Sequence, residues 1–409
     1  MRILIISQYF HPEEFKINDL ARELVGRGHS VSVLTGKPNY PKGKYFQGYE
    51  YAGVMKEDYF GAEVIRVPLR KRGSGGALNL VRNYLSYVVN ANKYIRRHRM
   101  AFDVMICFGT SPVTQAFPMI CCKNRYGGKA MLWVQDLWPE SVTAAGGVKN
   151  RLVLRALEKM VTWIYERCDV LMVQSEGFKK SILSKGNFSE KIVFVPNWAE
   201  DLYLEKRFVE SEEVSGIMPK GFKVMFAGNI GAAQDVESIV KAANETRNIP
   251  EIKWVIVGDG RAKARMEELV NQLGLTDTVV FTGRHPMEQM PTFFACADVM
   301  LVSLKDEYIF SLTIPCKTQS YMASGKPIVS MLNGEGNRII EEAGCGLTAS
   351  SGDYKKLAEN VVKLYHSDKE ELKEMGKRGF EYYLAHFDKK KVVDSIELAM
   401  ENSALKLQP

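Results

Sequence analysis

The sequence predicts two α/β domains, each built around a doubly wound parallel sheet. The chain has 409 residues, which is too long for one ordinary core and suits two domains of roughly 200 residues. Apolar runs of strand length alternate with amphipathic helices, and this alternation occurs twice. Most polar or glycine-containing loops directly follow an apolar run. In a doubly wound sheet such loops share one edge, where ligands bind.

In the first half, continuous apolar runs of the kind found in buried parallel strands mark seven segments. These predicted strands are 2–7, 30–35, 63–68, 103–108, 130–135, 169–174 and 192–196. Helices are expected between them, including a long one over 77–99 and another over 150–168. The latter carries Arg151, Arg155 and Lys159 at spacings of four, hence on one face.

The pattern restarts after 197–219, a stretch rich in glutamate and without periodicity. The strands predicted beyond it are 222–227, 253–257, 279–282, 298–303 and 328–331. The helices predicted there are 236–246, 262–273, 317–324, 353–365, 369–387 and 389–405. We therefore expect one domain at 1–200 and a second at 201–388. The final segment, 389–409, is expected to pack back on the first domain.

The composition is that of a globular protein. Hydrophobic residues make up 46% and charged residues 25% of the chain, as in ordinary folded domains. The net charge of +7 favours an anionic ligand or membrane surface without requiring either. Seven cysteines without a Cys-x-x-Cys pair argue against a disulfide framework or a zinc site. No signal-peptide pattern is visible, so a cytoplasmic location is expected.

In the second half, three loops at strand ends have features of a phosphate site. Residues 228–231 read Gly-Asn-Ile-Gly before a helix, so the backbone could approach a phosphate closely. The turn 258–260 is glycine-rich as well, although a structural role explains it better. The loop 313–317 places Lys317 at a helix start, where the helix dipole disfavours a positive charge. A bound anion would explain this lysine, and so would a solvated first turn.

In the first half, polar residues again follow predicted strands. His11, Gln135 and Asp136 each lie just past a strand, and Trp138 and Glu140 share the loop of Asp136. Asp136 would act as a base, as an acceptor for a ligand hydroxyl, or as an N-cap. His11 would face a ligand or cap its own loop. The sequence has no P-loop, Asp-x-Asp, His-Glu-x-x-His or Gly-x-Ser-x-Gly motif.

Several short motifs run through the whole chain in a characteristic order. The second half contains Gly228-x-x-Gly231, Val257-Gly258-Asp259-Gly260, Phe281-Thr282-Gly283-Arg284, Ala297-Asp298-Val299 and Met322 to Val329. The first half contains Gly28-His29-x-Val31-x-Val33-Leu34-Thr35 and Val195-Pro196-Asn197. Together they resemble family 4 retaining glycosyltransferases, which have the GT-B fold. The stretches G-N-I-G, V-Q-D-L-W-P-E-S and T-I-P-C-K-T-Q-S-Y are most similar to the L-fucosamine (N-acetylfucosamine) transferases of bacterial O-antigen and capsule clusters.

The resemblance implies two Rossmann-like domains facing across a cleft, with the donor bound by the second and the acceptor by the first. It implies sugar transfer from a UDP-sugar with retention at the anomeric carbon, without a metal or a cofactor. The residues to which it assigns catalysis are Lys317, Asp136 and Gln135. The implied donor-binding residues are Gly228, Asn229, Gly231, Gln234, Gly258, Arg284, Thr313, Ile314 and Ser320. The implied acceptor-binding residues are His11, Trp138 and Glu140.

Some positions depart from the family pattern. Ser320 stands where a ribose-binding glutamate is expected, and Gln135 stands where a histidine is usual. Asn229 and Gln234 replace an arginine and a lysine, and residues 13–16 replace a glycine-rich loop.

These losses make Lys317 the expected main cation for the leaving diphosphate, with Arg284 near the base. The backbone N–H groups of Thr313 and Ile314 are expected to assist.

The implied acceptor is a lipid-linked saccharide, and basic segments at 70–72, 96–99 and along 150–168 would suit peripheral contact with an anionic inner membrane. A solvated charged face explains these segments equally well. Two other functions stay open: a UDP-sugar 2-epimerase on the same fold, and a non-catalytic nucleotide-sugar-binding partner. Binding to nucleic acid is not expected, because no basic motif with interleaved aromatic residues occurs.

Overall fold

The computed structural model describes residues 1–144, 148, 150–204 and 212–405. The chain divides into two compact units. The first comprises Met1–Pro196 together with the chain from Val393 onward, and the second comprises Asn197–Val392. Residues 205–211, which belong to the predicted link, lie outside the described residues.

The first unit is built on an eight-stranded sheet. Its strands are β1 (Arg2–Ile6), β2 (Ser30–Gly36), β3 (Met55–Tyr59), β4 (Ala62–Val67), β5 (Val104–Gly109), β6 (Lys129–Val134), β7 (Val170–Val173) and β8 (Ile192–Phe194). Their order is β3-β4-β2-β1-β5-β6-β7-β8. Only β3 runs antiparallel to its neighbour, β4. Every residue of the central strand β5 is buried, which explains its continuous apolar sequence.

Helices cover both faces of this sheet. They are α1 (Lys16–Gly26), α2 (Ala77–Arg97), α3 (Ala116–Tyr126), α4 (Glu140–Ala144), α5 (Arg151–Arg167) and α6 (Glu176–Leu183). The step from β1 to β2 runs along the sheet in the direction opposite to the steps β4–β5, β5–β6 and β6–β7. Because such crossovers are right-handed, α1 lies on one face while α2, α3 and α5 lie on the other.

The second unit has a six-stranded parallel sheet. Its strands are β9 (Phe222–Ala227), β10 (Ile252–Val257), β11 (Val279–Gly283), β12 (Val299–Ser303), β13 (Ile328–Met331) and β14 (Gly346–Ala349). Their order is β11-β10-β9-β12-β13-β14. Its helices are α7 (Glu212–Ile217), α8 (Val236–Glu245), α9 (Lys263–Gln272), α10 (Met290–Cys296), α11 (Tyr308–Ser311), α12 (Cys316–Ala323), α13 (Glu335–Ala343), α14 (Tyr354–His366) and α15 (Lys369–His386). The strand order reverses at β9, so the loops after β9 and β12 diverge there, the usual position of a ligand site.

The last helix, α16 (Lys389–Leu405), begins in the second unit and continues in the first. Arg27, at the end of α1, bonds Asp394 at 2.6 Å and also pairs with Glu397. His29 Nε2 lies 2.7 Å from Glu397 Oε1. The chain therefore passes from the first unit to the second between residues 196 and 197 and returns between residues 392 and 393. The domain boundaries expected from the sequence were 200/201 and 388/389.

The predicted fold class, two doubly wound α/β domains, is confirmed. Strands β3 and β14 and helix α13 are additions that the apolar pattern did not indicate. Within the described ranges, no helix combines the length and the apolarity needed to cross a membrane.

Candidate donor and acceptor sites at the strand ends

Two glycine turns meet at the carboxyl end of the second sheet. The N–H of Gly228 donates to the carbonyl of Val257, and that of Ile230 to the carbonyl of Asp259, both at 2.8 Å. Gly228 and Gly258 have φ values of +135° and +141°, which other residues rarely adopt. A Cβ on Gly258 would lie 1.9 Å from the carbonyl oxygen of Gly228. The glycines are therefore required for the close approach of the two turns.

Lys317 lies directly against the first of these turns. A Cβ on Gly228 would lie 2.6 Å from its Cε. Its Nζ lies 3.6 Å from the ring centroid of Phe226 and donates to Gln234 Oε1 at 3.2 Å. Burial lowers the pKa of Lys317 to about 7. Throughout the described part of the chain, no carboxylate forms an ion pair with this amine, so its charge is uncompensated.

Helix α12 is anchored to the end of β9, which fixes the position of Lys317. The buried hydroxyl of Tyr321 accepts from the N–H of Ala227 at 3.1 Å and lies 3.2 Å from the carbonyl of the same residue. Gln319 Nε2 donates to the carbonyl of Asn197 at 2.7 Å. Gly325 ends the helix with φ +66°, as the sequence predicted.

Three predicted donor-binding residues have their polar groups already engaged or exposed. The Ser320 hydroxyl donates to the carbonyl of Cys316 at 3.2 Å. The N–H of Thr313 donates to the carbonyl of Phe310 at 3.3 Å. Asn229 is exposed, and its Nδ2 would lie 2.5 Å from a Cβ added to Gly231.

Two further residues of the predicted set lie in the core and after a different strand. Ile314 is buried in the core of the second unit. Arg284 is exposed after β11, and β10 separates that strand from β9. Of the predicted set, the structure thus places Gly228 and Gln234 beside Lys317. Asn229 and Gly231 belong to the same turn as Gly228, and the turn of Gly258 packs against it.

Lys305 and Glu335 also lie at the carboxyl end of the second sheet, and the sequence did not predict either as a site residue. The N–H of Lys305 donates to the carbonyl of Ala233 at 2.9 Å, which ties the loop after β12 to the first turn. Glu335 begins α13 with 7% of its surface exposed and pairs with Arg338 at 2.9 Å. The available signal was their position: a lysine two residues after β12 and a glutamate four residues after β13.

In the first unit, Gln135 and Asp136 lie at the end of β6. Both of their N–H groups donate to the carbonyl of Gly109 at 3.1 Å. Burial raises the pKa of Asp136 to about 6, against hydrogen bonds from groups that include Ser141 and Ser111. Trp138 Nε1 donates to the Ser111 hydroxyl at 3.1 Å. Asp136 is thus a half-buried residue whose carboxyl group binds protons more tightly than an ordinary aspartate does.

An aromatic and cationic cluster lies beside Asp136. Burial raises the pKa of Tyr84. The charge of Arg72 lowers this pKa, and the charge of Asp136 raises it further. Arg72 Nη1 donates to the Tyr9 hydroxyl at 2.9 Å, and Arg72 Cζ lies 5.1 Å from the ring centroid of Tyr40. Aromatic faces beside a guanidinium suit a saccharide that carries phosphate. Of this cluster, the sequence indicated only the basic run that contains Arg72.

Glu13 fixes the loop that carries Tyr40. Its carboxylate accepts from the N–H groups of Asn39 and Tyr40, each at 2.7 Å, and of Phe10 at 3.2 Å. Burial raises its pKa to about 7 despite these bonds. The residue that stands in place of the family's glycine-rich loop therefore connects two strand exits.

His11 and Glu140 have other partners. The ring of His11 packs 5.0 Å from that of Tyr59, on the β3–β4 side of the sheet. The Glu140 carboxylate pairs with Lys185 and accepts from the Ser181 hydroxyl at 2.8 Å. These contacts favour structural roles for both residues.

Comparison with known proteins gives matches over most of the chain. A model described as "Glycosyl transferase 4-like domain" matches residues 15–198, and one described as "Glycosyl transferases group 1" matches residues 221–367. The chain is a group 1 glycosyltransferase. WbjE of Pseudomonas aeruginosa, named as a glycosyltransferase, is 30% identical over 65% of this chain and 67% of its own.

This glycosyltransferase also resembles WcaI of Escherichia coli K12, named as a colanic acid biosynthesis glycosyl transferase. The identity is 26% over 80% of the chain and 82% of WcaI. The solved structure of HepE from Anabaena in complex with UDP matches with a TM-score of 0.69 at 14% identity, covering 98% of this chain and all of HepE. The fold is GT-B. Within the described residues, no group of three or more His, Cys, Asp or Glu side chains is arranged to hold a metal.

Proposed function

We propose that this glycosyltransferase moves a sugar from a UDP-sugar, with retention, to a lipid-linked or oligosaccharide acceptor of bacterial surface polysaccharide synthesis. The proposal places the reaction in the cytoplasm. The carrying observation is Lys317, a half-buried amine without a carboxylate partner in the described chain, held against the glycine turn at Gly228. A buried charge of this kind is costly unless a counter-ion compensates it.

The diphosphate of a nucleotide sugar supplies that counter-ion. When the bond from the anomeric carbon to the diphosphate oxygen breaks, negative charge develops on the leaving UDP, and the ammonium of Lys317 stabilises it. The glycine turns allow the phosphates to approach the backbone closely. That HepE was solved with UDP supports uracil as the base of the donor nucleotide.

In the first unit, Asp136 is the proposed acceptor for the proton of the attacking hydroxyl. Its pKa of about 6 leaves it ionised at neutral pH and closer to the operating pH than an ordinary carboxylate. Tyr40, Tyr84 and Arg72 are proposed to bind the acceptor saccharide and its phosphate, while the buried Tyr9 holds Arg72 in place.

The finer assignment, transfer of an N-acetylfucosamine-type amino-deoxy sugar into O-antigen or capsule, is supported by the motif resemblance at 134–141, 228–231 and 313–321. The name of WcaI, a colanic acid biosynthesis enzyme, and the similarity to WbjE are consistent with a surface-polysaccharide pathway.

The test is a transfer assay with a panel of UDP-sugars and polyprenyl-diphosphate-linked saccharides. Lys317→Ala should lower transfer by several orders of magnitude, while Lys355→Ala, an exposed lysine of α14, should not change it. Proton NMR of the product reports whether the configuration is retained. Near-normal turnover by Lys317→Ala contradicts the assignment of the lysine. Isomerisation of the donor alone would indicate an epimerase, and tight donor binding without turnover a non-catalytic partner.

A further inference from the structure

The outward surface of α2, α3 and α5 in the first unit carries an unusual charge. These three helices contain ten lysine or arginine residues and two glutamates, a net charge of +8, whereas the entire chain has +7. The rest of the molecule is therefore close to neutral. We call this surface the basic face. Its basic residues are Arg82, Lys93, Arg96, Arg97, Lys123, Arg125, Arg151, Arg155, Lys159 and Arg167.

Most of these charges form no ion pair. Lys123 pairs with Asp169 and Arg167 lies near Glu166, but across the described residues no ion pair is formed by the other eight. By contrast, exposed basic residues of the second unit, such as Lys377, sit next to glutamates one helical turn away. Opposite charges one turn apart stabilise a solvated helix, so the scarcity of ion pairs on the basic face favours an external anion.

Apolar side chains are exposed between these charges. On α2, Leu78, Val81, Leu85 and Val89 form a stripe at helical spacing, and each is at least 50% exposed. The opposite side of α2, which includes Tyr87 and Ala91, is buried against the sheet. On α5, Leu152 and Val153 are 73% and 43% exposed. A stripe of this kind on an otherwise charged surface marks an interaction site.

A groove of about 600 Å³ joins the three helices into one surface. Its lining includes Val88, Asn92 and Arg96 of α2, Phe117 and Arg125 of α3, and Trp163 of α5. The Oδ1 atom of Asn92 is enclosed and accepts no hydrogen bond in the described part of the chain. The groove thus presents two guanidinium groups and aromatic rings.

We infer that the basic face docks on a bilayer rich in anionic phospholipid, with the groove receiving a lipid headgroup between Arg96 and Arg125. Apolar residues at the surface enter the boundary between headgroups and acyl chains, while the surrounding cations bind lipid phosphates. Each basic side chain near an anionic surface strengthens binding by about fivefold. Binding to a nucleic acid would not account for the stripe of exposed leucine and valine side chains. This inference is independent of the donor and acceptor proposed above.

The experiment is sedimentation of the full-length protein with vesicles. One set consists of phosphatidylcholine alone, and the other contains phosphatidylglycerol in equal parts. We expect binding to the anionic vesicles only, weakened by added salt. Leu85→Glu combined with Val89→Glu should lower the partition coefficient about tenfold or more, since burial of apolar side chains is replaced by repulsion. Arg96→Gln combined with Arg125→Gln should lower it about twentyfold.

The matched control is Leu398→Glu. This leucine is 58% exposed on α16, which packs against the end of α1 on the opposite face of the sheet, and its substitution should leave binding unchanged. Circular dichroism verifies that each variant is folded. Absence of wild-type binding at low salt, equal binding to both vesicle types, or equal loss in the control overturns the inference. So does a dimer, seen by analytical ultracentrifugation, that Leu85→Glu dissociates.

Discussion

Replacement of Lys317 by methionine should stabilise the second unit and abolish donor binding. Methionine keeps most of the apolar length of lysine and removes the charge. The pKa of Lys317 falls from 10.5 to about 7 on burial. Since one pKa unit corresponds to about 1.36 kcal/mol, burial of the ammonium costs roughly 5 kcal/mol below pH 7.

Part of this cost is offset in the wild-type protein. The contact of Nζ with the Phe226 ring and the bond to Gln234 are lost on substitution, and together they contribute roughly 2 to 3 kcal/mol. We therefore expect Lys317→Met to gain about 2 to 3 kcal/mol at pH 6. For a unit of this size the thermal midpoint should rise by roughly 2 to 4 °C per kcal/mol.

The gain should shrink as the pH rises. Because the folded-state pKa is lowered, the unfolded chain binds more protons between about pH 7 and 10.5, and wild-type stability increases over that window. The cost of the lysine then falls from roughly 5 kcal/mol at pH 6 to roughly 2 at pH 9.

Scanning calorimetry at both pH values, with and without UDP, measures these effects. UDP should raise the thermal midpoint of the wild type and leave that of Lys317→Met unchanged. Lys355→Met, on the exposed surface of α14, should show neither the gain nor the pH dependence. A Lys317→Met variant that is destabilised at pH 6, or one that UDP still stabilises, refutes the reasoning.

Two further predictions concern packing. Gly258→Ala should cost at least roughly 2 kcal/mol and weaken UDP binding in calorimetric titration, because its Cβ would lie 1.9 Å from the Gly228 carbonyl oxygen. Gly26→Ala, with nothing within 4 Å of the new Cβ, should be neutral; equal effects would show that the close turn is unimportant. Glu397→Ala should destabilise the first unit by roughly 1 to 3 kcal/mol at pH 7, measured by urea denaturation. Burial opposes ionisation of Glu397, yet hydrogen bonds from His29 and Arg27 lower its pKa below 4.5, so the loss should fade as the pH falls through that range. Glu401→Ala on the exposed side of α16 is its control, and a matching loss there would argue against the ion pairs.

The sequence predicted the central strands because they are buried on both faces. Strand β5 and strand β12 have no exposed residue, so each reads as an uninterrupted apolar run. Strand β3 was missed because it lies at the sheet edge and its sequence, Met-Lys-Glu-Asp-Tyr, is mostly exposed. Apolar patterning carries no information about such a strand.

The candidate sites were predictable only in part. Lys317 and the glycine turns follow from their positions at strand ends. The ion pair of Glu140 could not be predicted, because its partner Lys185 is distant along the chain and no local motif indicates the pairing. Likewise, the cluster of Tyr9, Arg72 and Tyr84 forms from three separate loops or helices. No local motif brings such residues together.

The path of the chain has a consequence for how the molecule can be divided. The second unit is topologically an insertion into the first, entering after Pro196 and leaving before Val393. Its two ends are tied together, since Lys389 pairs with Asp201 at 2.8 Å and the N–H of Ala199 donates to the Tyr383 hydroxyl at 3.2 Å. Residues 197–392 therefore form one compact unit whose two ends lie close together. A truncation after residue 196 would instead remove Glu397, the partner of Arg27 and His29. It would also expose the apolar surface on which α16 packs.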